Sequence, residues 1–557
     1  MKQPKPTKTA ATNRTWLWTG LGAFAGLSLV FEIYAPALRG PFILDDRYLP
    51  IFNPNITGDI RGWVTFIRPM LGFSYWIDYL IHGPDPFGFH VSNVLLHFAV
   101  SAIAAVVAAK FLEWAGTPQR MRIALAGFAG ALFLLHPLQT ESVAYLASRS
   151  EILSMLFYYA AFAVFIYREG GRMSLLRSLL VFILFGAALA TKEHTLTLPL
   201  LLVLTDFWWR RGGFRAHRIL YSLLALAGAA GAAFIWRVIS TTNTAGFQMR
   251  DLPPAVYFFT QCRVVWTYIR MFFLPYGQNI DPDIPVSATL MDHGAIFGLL
   301  GFAAAVVLAW IYRKDFPLAS FGLLMFLLLI SPTSSFVPIK DVLAEHRLYM
   351  PFLGLIFVCL EFLRRLRFSQ AALACCAILA VCCVLTYQRV SLWESAVLLW
   401  QDSVNKSPNK YRPRFQLAYA QYEQGQCGDA VQSYETAIKL GPADQRLLVD
   451  FALALDCAGR WTRAIEELHR ALAYENTAHI HTQIGMILAK HGKFPDALEQ
   501  LAQAEQIDPR YEMTYVYRGN IYETSGNKAL ASREYQHAIA LNPQNQSARE
   551  ALSRVGR

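Results

Sequence analysis

The sequence predicts an all-α chain in two parts, a polytopic membrane domain of about 11 spans followed by an α-solenoid of paired helices. Three observations predict it. First, hydrophobic residues make up 55% of the 557 positions and charged ones only 16%; a soluble domain usually carries about 25% charge. Second, the charges are unevenly placed. Residues 402–557 hold 18 Lys+Arg and 18 Asp+Glu, whereas the first 401 residues hold 32 and 21, so the whole net charge of +11 lies in the apolar part. Third, a repeat with a period near 34 begins after Ser391. The 35 Gly, 27 Pro and 14% aromatics exclude a disordered or fibrous chain. A neutral C-terminal part excludes nucleic-acid binding, which needs a basic face.

A bilayer-crossing helix needs about 20 mostly apolar residues. The segments that answer to this are Trp16–Tyr34, His90–Leu112, Arg122–Leu135, Ile152–Tyr167, Leu175–Ala190, Thr195–Trp208, Ile219–Ile239, Ala295–Tyr312, Phe316–Ile330, Met350–Leu363 and Ala371–Tyr387. The first is too long, and followed by too many others, to be a cleavable signal peptide. Basic stretches set the orientation by the positive-inside rule. They are the N-terminus, Gln119–Arg122, Arg168–Arg177, Arg210–Arg218, Arg313–Lys314 and Arg364–Arg367, which share one side if the spans alternate. Val256–Leu274 is apolar but carries Arg263 and Arg270; counting it as a span would move two basic loops outside. It therefore reads as an amphipathic helix on the outer surface.

The repeats are regular. Ala430, Ala464, Ala497 and Ala531 recur at steps of 34, 33 and 34, and Gly425, Gly459, Gly492 and Gly526 keep the same steps. Ala437, Ala471, Ala504 and Ala538 do so as well. This is the tetratricopeptide pattern: small residues let two helices approach, and the Gly opens the turn between them. Trp393–Pro408 reads as the second helix of a preceding half repeat. Stacked repeats form a concave groove that takes peptide segments. Cys427 and Cys457 are the only cysteines in this part; a disulfide and two free thiols are equally open readings.

The outer loops collect charge. Asp45 and Asp46 follow the first span, and a carboxylate there offers a general base or a metal ligand. Arg68, Arg149, Lys192, His346 and Arg347 fall on the same side, as do Glu141, Glu193 and Glu345. Charge at membrane depth is costly and marks functional candidates. Converging cations suit an anionic phosphate headgroup, held by charge-assisted hydrogen bonds. The bland reading is a set of structural salt bridges between loops. His90, Asn93 and His97 share one helix face; interhelical hydrogen bonding is their bland reading.

The strings LDD, IRPM, FHVSNVLLH, HPLQTESVAYLASRSEIL, TKEHTLTLPLL and EHRLYMP, followed by the repeats, resemble the transmembrane and tetratricopeptide-repeat O-mannosyltransferases and their bacterial relatives. That family belongs to the C-type (GT-C) membrane glycosyltransferases. The resemblance covers nearly the whole chain with the motif order kept, and HPxxTExV followed by Arg-x-Glu is its most specific piece. It implies a GT-C-like domain over residues 1–390 and a periplasmic or lumenal repeat domain over 391–557, a half repeat plus four repeats. It implies sugar transfer from a polyprenyl-phosphate donor to a protein Ser/Thr hydroxyl on the outer face. The acceptor protein would be presented by the repeat groove. The site in the family's pattern is then Asp45 and Asp46 as the catalytic pair, in either order. Arg347, His346, Lys192, Arg149 and Arg68 would bind the donor phosphate, with His90, His136, Glu141, Glu193 and Glu345 supporting them. The family's late motif reads Glu-Arg-x-Leu-Tyr, whereas this chain has Glu345-His346-Arg347-Leu348-Tyr349. No cofactor is required; a divalent metal is an open option that the resemblance does not imply. The expected location is a bacterial inner membrane with periplasmic repeats, or the endoplasmic reticulum membrane in a eukaryote. Two alternatives stand beside this: an enzyme acting on a glycan or lipid acceptor, and a non-catalytic scaffold recruiting envelope proteins through the repeats.

Overall fold

The computed structural model describes residues 11–52, 57–65, 67–168, 173–209, 217–240 and 245–556. The basic N-terminal stretch, Phe66, and parts of the basic loops at 169–172 and 210–216 lie outside the described residues. The chain divides into two compact units, Met1–Ser395 and Ala396–Arg557. Both are helical, and an isolated Ala245–Ile339 bridge is their only β-type pairing among the described residues.

In the first unit, each of the 11 apolar segments carries a helix. Among the described residues, five helices are long and apolar enough to cross a bilayer, or up to seven when two bent pairs each count as one span. The number 11 is therefore not reached on length alone. The physical reason is that several of the segments make short helices: Leu198–Trp209 and Phe352–Leu363 have 12 residues each and Pro317–Ile330 has 14. At about 1.5 Å per residue these span roughly 18–21 Å, short of a hydrocarbon core of about 30 Å. Short polar turns adjoin two of them: Glu193–Thr197 runs into Leu198–Trp209, and Glu345–Leu348 comes before Phe352–Leu363.

Close backbone approach fixes one such turn. A Cβ on Gly322 would meet the Gly354 carbonyl oxygen at 2.4 Å, and one on Gly354 would meet that of Gly322 at 2.6 Å. Small residues at a membrane crossing allow this packing. It docks Pro317–Ile330 on Phe352–Leu363, with Phe321 and Phe357 closing around Phe111. The turn Glu345–Leu348 enters the second of these helices.

Val256–Leu274 forms the helix Pro254–Phe273, and it is amphipathic. Tyr257, Thr260, Gln261, Val264, Tyr268, Met271 and Phe272 are buried along one face. Tyr257, Gln261 and Tyr268 bond to the carbonyls of Thr333, Val342 and Ala344, so this face holds the segment leading to Glu345. Arg263 bonds to Pro285 and Ser287, and Arg270 to Tyr276.

In the second unit, the four helix pairs run from Tyr411–Glu423 with Cys427–Leu440 to Glu512–Thr524 with Lys528–Leu541. Gly425, Gly459, Gly492 and Gly526 close the first helix of each pair with φ of 73–78°, a left-handed cap that costs Gly nothing. The recurrent alanines at both repeat positions are fully buried. Gly519 also packs closely: a Cβ on it would meet the Tyr535 ring at 2.5 Å.

Candidate functional site

The polar residues in the loops and turns between the helices of the first unit fall into an accessible layer and a sealed layer. Asp45 is exposed, whereas Asp46 is 1% exposed. They occupy one turn, Leu44–Tyr48. Both Asp46 oxygens are taken by backbone: Oδ2 accepts Ile43 N–H at 3.0 Å and Oδ1 accepts Ala147 N–H at 2.6 Å. Burial pushes the Asp46 carboxyl up to about 8, against the pull of those two bonds. Asp46 thus staples the turn to the Tyr145–Ser148 segment. The Asp45 backbone N–H donates to Tyr145 Oη at 3.1 Å.

Arg149 belongs to the sealed layer. Its Nη1 pairs with Asp78 at 2.6 Å, Nε donates to Asn93 Oδ1 at 2.6 Å and Nη2 to the Phe89 carbonyl at 2.8 Å. Its guanidinium also lies 4.5 Å from the Tyr75 ring centre. A side chain 1% exposed and so fully engaged is a pin between helices.

A second set lies around Glu151. Lys192 Nζ donates to Glu151 Oε1 at 2.6 Å and to Ser150 Oγ at 3.1 Å, and His194 Nε2 stands 3.5 Å from Glu151 Oε2. Burial pushes His194 down to about 4, so it is neutral at neutral pH. Arg68 grips Glu193 through two 2.9 Å bonds. This pair is the more open, with side chains 37% and 25% exposed.

The late motif forms a third set. His346 Nδ1 meets Glu141 Oε1 at 2.5 Å, while Glu141 Oε2 accepts Glu345 N–H at 3.1 Å. Donation from Nδ1 to the carboxylate leaves His346 Nε2 free to face a ligand, on a side chain 24% exposed. Glu345 is sealed: it accepts Gln278 Nε2 at 2.9 Å and Asn279 N–H at 2.6 Å, with Arg389 at 3.6 Å. Burial pushes its carboxyl up, against the Arg389 charge. Arg347 reaches the Asp341 carbonyl at 2.5 Å and Tyr257 Oη at 3.4 Å.

The three histidines of the sealed layer are hydrogen-bond joints. His90 Nε2 meets the Gly40 carbonyl at 3.2 Å. His97 Nε2 meets the Leu134 carbonyl, so Nδ1 accepts the Tyr349 hydroxyl at 2.8 Å. His136 Nε2 meets the Phe272 carbonyl, and its Nδ1 accepts Leu138 N–H.

The sequence reading missed Asp78, Gln278, Asn279, Tyr145 and Arg389, and gave no role to Glu151, although it closes the Arg-x-Glu of the most specific motif. Asp78 and Arg389 each stand as a lone charge in an apolar helix, a signal that asks for a buried partner. Gln278 and Asn279 come from a loop with no periodicity to mark them. No group of three or more His, Cys, Asp or Glu side chains converges to hold a metal ion among the described residues.

Comparison with known proteins shows what the chain is similar to. Tetratricopeptide-repeat models match residues 415–479, 449–512 and 514–545. Protein O-mannosyl-transferase F38B6.6 of Caenorhabditis elegans is 24% identical over 75% of this chain and 62% of its own. Protein O-mannosyl-transferase TMTC3 of Homo sapiens is 21% identical over 86% of this chain and 58% of its own. The chain is thus similar in sequence to TMTC protein O-mannosyl-transferases over much of its length. It spans about three fifths of the length of these TMTC relatives. A shorter match to Drosophila melanogaster Tmtc1 reaches 33% identity over 33% of this chain and 23% of that protein. Among solved structures, the repeat protein YrrB is 20% identical, with a TM-score of 0.24, over 28% of this chain and 81% of its own.

Proposed function

We propose that the chain transfers a sugar, mannose by the names of its relatives, from a polyprenyl-phosphate donor to a protein Ser/Thr hydroxyl. The accessible layer carries this reading: Asp45 is open, while Asp46 is spent on two backbone N–H groups. Asp45 is therefore the base and Asp46 its anchor. The Asp45 carboxylate takes the proton of the acceptor hydroxyl. The hydroxyl oxygen then bonds to the sugar C1 from the face opposite the phosphate. The C1–O bond breaks, its electron pair leaves with the lipid phosphate, and the anomeric centre inverts.

The leaving phosphate gains charge as it departs, and preformed donors aimed at that charge lower the barrier. Arg68, Lys192, His346 and Arg347 are the donors assigned here. Arg149 stays below them as a pin. Each of these four side chains already touches an oxygen, and a phosphate would take the place of some of those contacts.

The reaction lies on the outer or lumenal face, with the repeats on the same side. A paired Cys427 and Cys457 agrees with an oxidising compartment. The repeat groove would present the acceptor. A labelled polyprenyl-phosphate mannose, supplied to membranes holding the full chain, tests the proposal. Transfer to protein is expected, with loss of transfer in Asp45→Asn. Full transfer by Asp45→Asn would sink the base assignment. Label that enters only glycan or lipid would favour the other acceptor class, and no transfer at all would favour the scaffold.

A further inference from the structure

Two aromatic rings join the exit of the last span to the Asp45 turn. The first is Tyr145, whose hydroxyl accepts the Asp45 backbone N–H at 3.1 Å. The second is Trp393, offset-stacked on Tyr145 with ring centres 6.3 Å apart and planes 29° from parallel. Both are sealed from solvent, at 7% and 4% exposure. Trp393 follows the long Phe368–Ser391 helix directly. Its backbone also touches the first outer loop: a Cβ on Gly40 would meet the Trp393 carbonyl oxygen at 2.4 Å.

The turn needs outside support. Leu44, which precedes Asp45, has φ of +47°, a left-handed conformation that a leucine adopts only when its surroundings impose it. Local preference therefore does not hold Asp45 in place. Its supports are the Asp46 staple to Ile43 and Ala147, the Tyr145 hydroxyl, and the stack behind Tyr145.

We infer that Tyr145 and Trp393 are positioning residues for Asp45, so that the segment leaving the last span sets the base against the acceptor hydroxyl. This rests on Asp45 being the base. Tyr145 acts through the Asp45 backbone and Trp393 acts through the Tyr145 ring. A small misplacement of a base acts on the chemical step, because proton transfer and attack both need near-ideal geometry. Donor binding, which uses other residues, is left alone.

The test uses the full chain in detergent with polyprenyl-phosphate mannose and a Ser/Thr-rich peptide. Tyr145→Phe keeps the ring and removes the hydroxyl; its kcat is expected to fall about tenfold or more, with the donor KM unchanged. Trp393→Ala should show the same split, and Trp393→Phe should recover most of the rate. The double variant Tyr145→Phe with Trp393→Ala should be no slower than the slower single, since both act along one route. Rates are compared per mole of protein that elutes as a single species on gel filtration, which removes losses from misfolding. Wild-type kcat in Tyr145→Phe, or a Trp393→Phe as slow as Trp393→Ala, would overturn the inference while Asp45→Asn remains inactive. An active Asp45→Asn would instead overturn the base assignment on which it rests.

Discussion

Arg149 and Asp78 close an ion pair of 2.6 Å between side chains 1% and 7% exposed. The pair ties the Pro69–His82 helix to the start of Arg149–Ile166, directly beneath the Asp45–Asp46 turn. Removing one member of a buried pair strands the other charge, at about 3–5 kcal/mol. Asp78→Ala and Arg149→Met are each expected to lower the thermal midpoint in detergent sharply. The double variant Asp78→Ala with Arg149→Met should recover part of that loss, because no charge is then left unpaired. A double variant as unstable as the sum of the singles would show that the two side chains act independently.

The pH dependence of stability follows from Asp46. Its carboxyl stands at about 8 in the fold, against an ordinary value of 3.8, chiefly because of burial. Between these values the unfolded chain has released the proton that the folded chain keeps. Linkage then makes this group's contribution to stability fall as pH rises from about 4 to about 8 and level off above that. One group contributes a slope of at most about 1.4 kcal/mol per pH unit. Asp46→Asn carries no titrating group, so its midpoint should decline less steeply than wild type from pH 5 to 8. Parallel lines for the two proteins would rule this out.

Much of the architecture was legible in the sequence because its signals are local. The alanine and glycine steps of 34, 33 and 34 encode helix pairs within each repeat, and the apolar runs encode helices in the first unit. The candidate site was only half legible. Asp45, Lys192 and His346 stand in short polar turns between apolar runs, where charge is conspicuous. Their partners are set by three-dimensional packing across 41 residues for Lys192–Glu151 and 205 for His346–Glu141, and no spacing rule reaches that far. Arg149 shows the cost. A cation in the right motif reads as a ligand until Asp78 and Asn93 are seen to occupy it.

Arg347 gives a prediction about geometry. Its Nη2 reaches the Asp341 carbonyl, while Nη1 faces Tyr257 Oη at 3.4 Å and the Val342 carbonyl at 3.5 Å. A guanidinium can keep such anchors on one edge and offer another to a phosphate, which a single ammonium cannot do. Arg347→Lys is therefore expected to raise the donor KM about tenfold or more despite the retained charge. Initial rates over a range of polyprenyl-phosphate mannose concentrations measure it. An unchanged KM would remove Arg347 from the donor-binding set.

The repeats offer an independent test of side and redox state. Cys427 and Cys457 are paired, with Cα atoms 5.7 Å apart and a sequence separation of 30. The bond ties the first helix pair to the second. By the chain-entropy estimate a loop of that size gains roughly 3–4 kcal/mol from closure. Reduction, or Cys427→Ser with Cys457→Ser, should therefore lower the unfolding midpoint of the repeats, as followed by limited proteolysis on heating. The six remaining cysteines are free and lie in the first unit, so a variant with those six replaced reports on this pair alone. In sealed cells its repeats should react with a membrane-impermeant maleimide only after an impermeant reductant is added outside. Labelling without reductant would exclude the disulfide. No labelling from outside even after reduction, with full labelling once the membrane is opened, would put the repeats on the inner face and end the proposed topology.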